Sequence, residues 1–502
     1  MKTWLRKKIR NKLNHYLIPL NNPDSSLPLQ LSQKKSVAVI GAGIAGMSAA
    51  ANLAERGFEV TLFEKENFLS GKMGSWKFES SGENLQVEHG FHAFFRQYHN
   101  LRNFMRDKLD NYKHLIPIDD YVVLFEDKTQ QGFKKLDPTP GLNVLDMRKF
   151  GVFNYLTFIN PLSIPFLGLL KFDLKKTYKR YDKESFKSYA RRTAMPKRMQ
   201  LMFNTFARAF FSEPHKMSMA ELIKGFHFYF LSNEDGLLYD VLDDDFALTF
   251  EKPWKDFLLK HQVDIRLNSP VTKIDKKPDG FTINGKEFDY CVLATDVKHI
   301  NPLVDNSPSL KQYSNFHNSI QQLGNSDRYA VLRIWTDRFE NDNNLPFFIF
   351  TDRLKCLDSI TLYHKMEKSS AEWSNQHKGG IFELHCYALP AELDTDEKIK
   401  DQLMVELFHY MPELKGLKTI HSYFQHKQDF AAFHVGLHAK RPTVTTEVPN
   451  LFLAGDWVKM DNCTMLMEAS FTSGSLAANE IFKKENLQEN PLVSVPVKGL
   501  LA

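Results

Sequence analysis

The segment from Ser36 to Glu64 constrains the fold more than any other part of the chain. Ser36-Val-Ala-Val-Ile40 is a short, β-branched run, and Gly41-Ala-Gly43-Ile-Ala45-Gly46 follows it without a break. A helical, alanine-rich stretch runs from Met47 to Arg56, with Gly57 where a helix should end. Phe58-Glu-Val-Thr-Leu-Phe63 reads as the next strand, closed by Glu64. Strand, glycine turn, helix and second strand make a βαβ unit that cradles a dinucleotide. Gly41 permits the tight turn, Gly43 lets backbone amides, Ala45 among them, approach a pyrophosphate, and Gly46 lets the helix pack close to the strand. The helix N-terminus presents its partial positive charge to the phosphates. Glu64 is placed to accept hydrogen bonds from a ribose diol.

The rest of the composition sets limits. A chain of 502 residues, 43% hydrophobic, has more apolar material than one small core needs, which predicts two or three intertwined domains. A mean hydropathy of −0.38 argues against a multi-span membrane protein. Phe outnumbers Tyr and Trp, at 41 against 17 and 6, which predicts a large dry interior or a greasy ligand. The four cysteines, Cys291, Cys356, Cys386 and Cys463, form no CxxC pair. Reduced thiols in a cytoplasmic setting fit them best.

Net charge is +5, but Lys2, Arg6, Lys7, Lys8, Arg10 and Lys12 all precede the first acid, Asp24. The body is therefore near neutral and carries a basic arm, which argues against a broad nucleic-acid surface. Trp4, Leu5, Ile9, Leu13, Tyr16 and Leu17 recur at helical spacing among those cations, the pattern of an interfacial amphipathic helix. Residues 150–170 carry no charge but contain Pro161 and Pro165, and Lys171, Lys175, Lys176, Lys179 and Arg180 follow. The prolines break a spanning helix, so the expectation is a segment dipping into one leaflet, a monotopic contact. The protein is expected to be cytoplasmic and peripherally bound to a membrane surface.

Near the C-terminus, Pro449-Asn-Leu-Phe-Leu-Ala-Gly455-Asp456-Trp precedes a helix-like stretch from Thr464 to Phe482. It resembles the C-terminal flavin motif of FAD oxidoreductases with the glutathione-reductase type of fold. That resemblance implies FAD as cofactor, Gly455 and Asp456 at the ribityl chain, and amides around Met465, Leu466 and Met467 facing the flavin ring. It also implies that Val271 offers its backbone to the adenine and that Ala294 lies near the phosphates. Leu69-Ser-Gly71-Lys72-Met-Gly74 resembles the Gly-Gly-Arg segment of flavin amine oxidases and carotenoid desaturases, with Ser70 for the first glycine and Lys72 for the arginine. Lys72 remains a phosphate-binding candidate, as a point charge without the bidentate fork.

Further strings are more specific: Glu88-His-Gly-Phe-His92-Ala-Phe-Phe-Arg96, Phe206-Ala-Arg208-Ala-Phe-Phe211, Phe226-His-Phe-Tyr-Phe230, Gly236 to Phe246, and Phe433-His-Val-Gly-Leu-His438. Together with the flavin motifs they resemble the carotene desaturase/methyltransferase family, the aryl-carotenoid (isorenieratene) synthases, over most of residues 36–482. The resemblance implies aromatisation of a carotenoid β-ionone ring, with two desaturations and an intramolecular methyl shift. A shift of that kind runs through a ring cation, which needs π faces, carboxylates and dryness. The strings Phe91/Phe94/Phe95 and Phe226/Phe228/Tyr229/Phe230 suit such a pocket. His89, His92 and Glu88 are the candidates for removing the ring proton. Asp240, Asp243, Asp244 and Asp245 have no His or Cys companion, and no metal is expected.

The fold expected is α/β: a Rossmann-like FAD-binding domain of glutathione-reductase type, a mixed α+β substrate domain and a helical membrane-contact region. The divisions are 1–35 for the arm and linker, 36–115, 236–300 and 441–485 for the FAD domain, 116–235 for substrate and membrane contact, 301–440 for substrate, and 486–502 for a tail. A phytoene- or ζ-carotene-type desaturase, a carotenoid isomerase, a flavin amine oxidase and a non-catalytic carotenoid-binding flavoprotein share the flavin motifs and stay open. The electron acceptor has no sequence motif.

Overall fold

The computed structural model describes residues 4, 6–9, 17–109, 111–118, 120–134, 136–150, 168–234, 236, 238–339 and 345–499. Its first layer is a five-stranded, all-parallel sheet in the order Asp264–Arg266, Glu59–Phe63, Ser36–Ile40, Tyr290–Leu293, Leu451–Leu453. Three separated stretches of chain thus supply one sheet. The helix Ile44–Glu55 buries nearly its whole length, which its alanines allow because small side chains let it lie close to the strands. The C-terminal helix Leu466–Lys484 crosses it where Gly474 meets Ala45, and a methyl there would sit 2.1 Å from the Ala45 carbonyl oxygen. Ser48 seals the crossing by donating to the Phe471 carbonyl at 2.8 Å.

The second layer is a seven-stranded sheet in the order Thr419–Lys427, Tyr329–Thr336, Ile381–Cys386, Ser359–Leu362, Phe348–Thr351, Val122–Leu124, Gln130–Gly132. All its pairings are antiparallel except that between Phe348–Thr351 and Val122–Leu124. Between the layers lies a small sheet of Phe94–Phe95, Tyr239–Leu242 and Leu115–Pro117. Four helices, Leu174–Tyr181, Phe186–Arg192, Lys197–Arg208 and Met219–Phe226, precede the strand Tyr239–Leu242 in the chain.

Two expected boundaries differ from this arrangement. Residues 239–242 pair with the middle sheet, and the chain re-enters the parallel sheet only at Asp264. The expected tail is part of the body: Val493–Ser494 pairs with Ile18–Pro19, and Leu487, Leu492 and Val495 are buried. The linker is held as well, through the Leu31 amide donating to the Arg56 carbonyl at 2.9 Å. The four cysteines are buried and unbridged.

Of the basic arm, Trp4 is 63% exposed and Arg6 donates to Asp137 at 2.6 Å, so one of its cations is a tether to the body. The uncharged stretch 151–167 lies outside the described residues. Among those described, no helix is long and apolar enough to cross a membrane.

Candidate active site

One cavity of about 1650 Å³ opens at the carboxyl ends of the parallel strands and runs on between the two layers. Crevices at that edge are where parallel α/β sheets hold their ligands. Its first part is lined by Gly41, Gly43, Ala45, Glu64, Lys72, Val271, Ala294, Gly455, Asp456, Leu466 and Met467. Gly46 and Met465 do not line it. Gly46 lies behind the turn, where a methyl would come 1.8 Å from the Gly41 carbonyl oxygen. Met465 is buried and caps the helix that begins at Leu466.

The cradle leaves room for a phosphate group. A methyl built on Gly43 meets nothing within 4 Å, whereas one on Gly41, at φ +100°, would come 2.7 Å from the Ala294 carbonyl oxygen. The space ahead of Gly43 is open, whereas Gly41 is a glycine for the sake of the turn. The Thr295 hydroxyl is buried there without a partner among the described residues. Glu64 accepts from the Ala42 amide at 2.8 Å and the Glu66 amide at 3.0 Å, one on each oxygen. A carboxylate keeps further lone pairs for a diol. Burial raises the Asp456 carboxyl above its ordinary value, against Lys72 and Arg441. These features fit a flavin dinucleotide. Ser70 sits in the left-handed region at φ 74°, and its amide donates to the Ala42 carbonyl at 2.8 Å. Lys72 points its ammonium at the Phe430 ring, 4.8 Å from the centroid.

The second part of the cavity is aromatic. Phe91, Phe95, Tyr229 and Phe230 line it, while Phe94, Phe226 and Phe228, expected beside them, are packed in the core. Phe95 and Tyr229 meet edge to face at 4.5 Å. Phe206, Phe348 and Phe350 extend the lining, and Met147, Leu201 and Met202 line it as well.

The three candidate proton acceptors separate. Glu88 does not reach the cavity. Its carboxylate, 1% exposed, accepts from the Arg333 guanidinium, which also donates to Glu383 at 2.9 Å. Burial pushes Glu88 up to about 7. Its role is to anchor the strand end that carries the other two candidates. His92 lines the cavity, with Nδ1 2.7 Å from the Gly90 carbonyl oxygen. A carbonyl only accepts, so that nitrogen carries the proton and orders the turn. Burial lowers His92 to about 3. His89 also lines the cavity, with Nε2 2.7 Å from the Tyr329 hydroxyl. Burial lowers it to about 4, so it is neutral at physiological pH.

Two of the aspartates after Tyr239 are held in ion pairs, and Asp245 lines the cavity. Asp240 pairs with Arg96 at 2.7 Å and Arg102 at 2.6 Å, and Asp243 pairs with His114 at 2.9 Å. Among the described residues no three His, Cys, Asp or Glu side chains converge as a metal site would require. Sequence reasoning missed Tyr329, Asp429 and Arg333. The last had a signal: an arginine in the middle of the apolar strand Tyr-Ala-Val-Leu-Arg333-Ile-Trp-Thr requires buried carboxylates opposite it.

The parallel sheet, the glycine turn, the Gly455-Asp456 corner and the incoming helix define an FAD-dependent oxidoreductase of the α/β class. The chain belongs to the flavin containing amine oxidoreductase family, whose model matches residues 44–482. A carotenoid phi-ring synthase of Streptomyces griseus is 32% identical over 475 residues, covering 92% of this chain and 91% of the relative. One of Chlorobaculum tepidum is 26% identical, covering 95% and 93%. A probable zeta-carotene desaturase of Synechococcus elongatus is 22% identical, covering 89% and 99%. Among solved structures, a putative protoporphyrinogen oxidase from Exiguobacterium sp. 255-15 superposes with a TM-score of 0.61 at 14% identity, covering 90% of this chain and 99% of that one. FAD is the cofactor.

Proposed function

We propose that this enzyme aromatises the β-ionone end ring of a carotenoid by FAD-dependent desaturation with an intramolecular methyl shift, giving a φ-type ring. The observation that carries this reading is the chain-long likeness to two carotenoid phi-ring synthases, at 32% and 26% identity. The aromatic cavity, continuous with the flavin cradle, supports it. The desaturase relative is less similar, at 22%.

In this reading Gly41, Gly43, Ala45 and Gly46 form the pyrophosphate turn, Glu64 holds the ribose, and Val271 and Ala294 flank the adenine and phosphates. Gly455 and Asp456 hold the ribityl chain. Bound FAD supplies a hydride acceptor. The turn at Met465, Leu466 and Met467 presents a positive helix end where negative charge would gather. Phe91, Phe95, Tyr229 and Phe230 exclude water and offer π faces to a cationic ring. Anaerobic mixing of the yellow holoenzyme with β-carotene should bleach its visible flavin band. No bleaching by any carotenoid would favour a non-catalytic carrier.

The basic arm and the region around residues 150–180 contact a lipid surface in the same reading. Lys171, Lys175, Lys176, Lys179 and Arg180 are all exposed, and headgroup attraction is about 1 kcal/mol per cation at an anionic surface. The protein should float with anionic vesicles at low salt, and removing residues 1–22 should weaken that without abolishing it. A full-length protein that stays in the soluble fraction with such vesicles contradicts the contact.

A further inference from the structure

We propose that His89, positioned by Tyr329 and Asp429, is the base that takes the ring proton; the proposal rests on the aromatisation reading above. The three residues come from separate parts of the chain. His89 follows the strand Glu83–Glu88, Tyr329 begins the strand Tyr329–Thr336, and Asp429 lies just beyond the strand Thr419–Lys427. His89 and Asp429 line the cavity, and Tyr329 is buried behind them.

The hydrogen bonds fix the direction of the relay. The Tyr329 hydroxyl donates to Asp429 at 2.7 Å. A phenol has one proton, so its oxygen can only accept from His89 Nε2, 2.7 Å away. His89 therefore carries its proton on Nε2 and keeps the Nδ1 lone pair as its acceptor site. Asp429 also stands 3.7 Å from Nε2 directly. Protonation of Nδ1 then creates an imidazolium next to a carboxylate, the logic of a catalytic triad. Among the described residues His92 has no such partner, and its polar contact is the Gly90 carbonyl.

The charges around the relay agree. Burial opposes ionisation of Asp429, but His89, Lys72 and Tyr329 hold its carboxyl far below the usual range. Lys427 and Lys72 act against the imidazolium, His92 faces the same ring, and Asp296 faces Asp429 and Tyr329. The balance keeps His89 neutral until a proton arrives from a cation.

Each desaturation removes one hydride and one proton from the ring, so each ring needs two, and a quinone-class two-electron acceptor takes up the electrons between them. The hydride leaves a ring carbon with both electrons of its bond, and bound FAD would supply the acceptor for it. The geminal methyl migrates with its bonding pair to the neighbouring cationic carbon, which moves the positive charge to the carbon it left. A ring C–H bond then breaks, its electron pair becomes the new double bond, and the proton goes to His89 Nδ1.

The test is steady-state turnover of β-carotene by purified holoenzyme with a quinone added as electron acceptor, and with flavin content checked by absorbance. His89→Ala should lower kcat by about 10²–10⁴-fold at little-changed KM, and added imidazole should restore part of it. Tyr329→Phe and Asp429→Asn should each lower kcat more than tenfold, and the double variant should be no worse than the worse single, as expected of groups acting as one unit. If His89→Ala loses its flavin, Tyr329→Phe, which keeps the ring packing, decides alone. Undiminished kcat in Tyr329→Phe, or imidazole rescue of His92→Ala in place of His89→Ala, overturns the relay. A wild-type enzyme that leaves β-carotene unaltered overturns the aromatisation reading itself, so the two failures are distinguishable.

Discussion

Gly43→Ala should fold normally and be purified with little or no flavin. Gly43 has φ −70° and ψ −179°, which alanine adopts freely, and its new methyl would meet no atom of the described residues within 4 Å. Replacing glycine there should leave the apoprotein at least as stable, by up to about 1 kcal/mol, through loss of unfolded-state freedom. The methyl instead occupies the space ahead of the turn, where a pyrophosphate must approach the backbone. FAD affinity should fall by more than tenfold, about 1.4 kcal/mol. Thermal melts of the apoprotein and titration with FAD check the two halves separately. Gly46→Ala is the contrast. Its methyl would collide with the Gly41 carbonyl, so the helix and strand must part, at about 1–3 kcal/mol of folding stability. Full flavin content in Gly43→Ala would contradict the cradle described above.

The second large effect is expected at Arg333, which sits on a strand of the seven-stranded sheet and neutralises Glu88 and Glu383 in the core. Arg333→Leu strands those carboxylates in an apolar setting. The loss is about 3–5 kcal/mol, a large share of the stability of a typical domain. The variant should be largely insoluble. Glu367 is the opposite case: burial and the neighbouring Glu88 push its carboxyl well up, so it keeps its proton. Glu367→Gln, which mimics that acid, should melt within a few degrees of wild type.

The same cluster makes stability depend on pH. Burial raises Glu88 to about 7, above its ordinary value of 4.5. The folded form therefore binds a proton that the unfolded chain has released, and this contribution is complete below about 4.5 and lost as pH rises through 7. Melting temperature should decline across that window, and Glu88→Gln should flatten the decline. An unchanged slope in Glu88→Gln places the titration elsewhere. The effect reaches the site because the Phe91 amide donates to Glu383 at 3.0 Å, and the Glu88 carbonyl accepts from Gln425 at 2.8 Å. The turn that carries His89 and His92 is thus bolted to this charge cluster.

How much of this could be read from the chain alone depended on sequence distance. The βαβ unit is local: its strand, glycine turn and helix are contiguous, and short-range pattern determines them. The strand that delivers Gly455 and Asp456 was legible because its motif is contiguous too, although its sheet partner begins some 160 residues earlier. Glu88 was not, because its partner Arg333 is 245 residues away and a strand-end acid reads as exposed. The relay escaped for the same reason. Tyr329 looks like one more aromatic in an apolar strand, and Asp429 like a loop carboxylate, until the fold brings them to His89 across 240 and 340 residues. The phenylalanine strings divided according to which way each ring faced: Phe91 and Phe95 face the cavity, and Phe94 between them faces the core. Alternation along a segment sets that, and composition does not carry it.

The most direct test of the central claim is expression in a β-carotene-producing host, followed by mass and absorbance of the extracted carotenoids. The account predicts a product that has lost four hydrogens per converted ring at constant carbon count. Unchanged β-carotene, with altered lycopene or ζ-carotene instead, would contradict it.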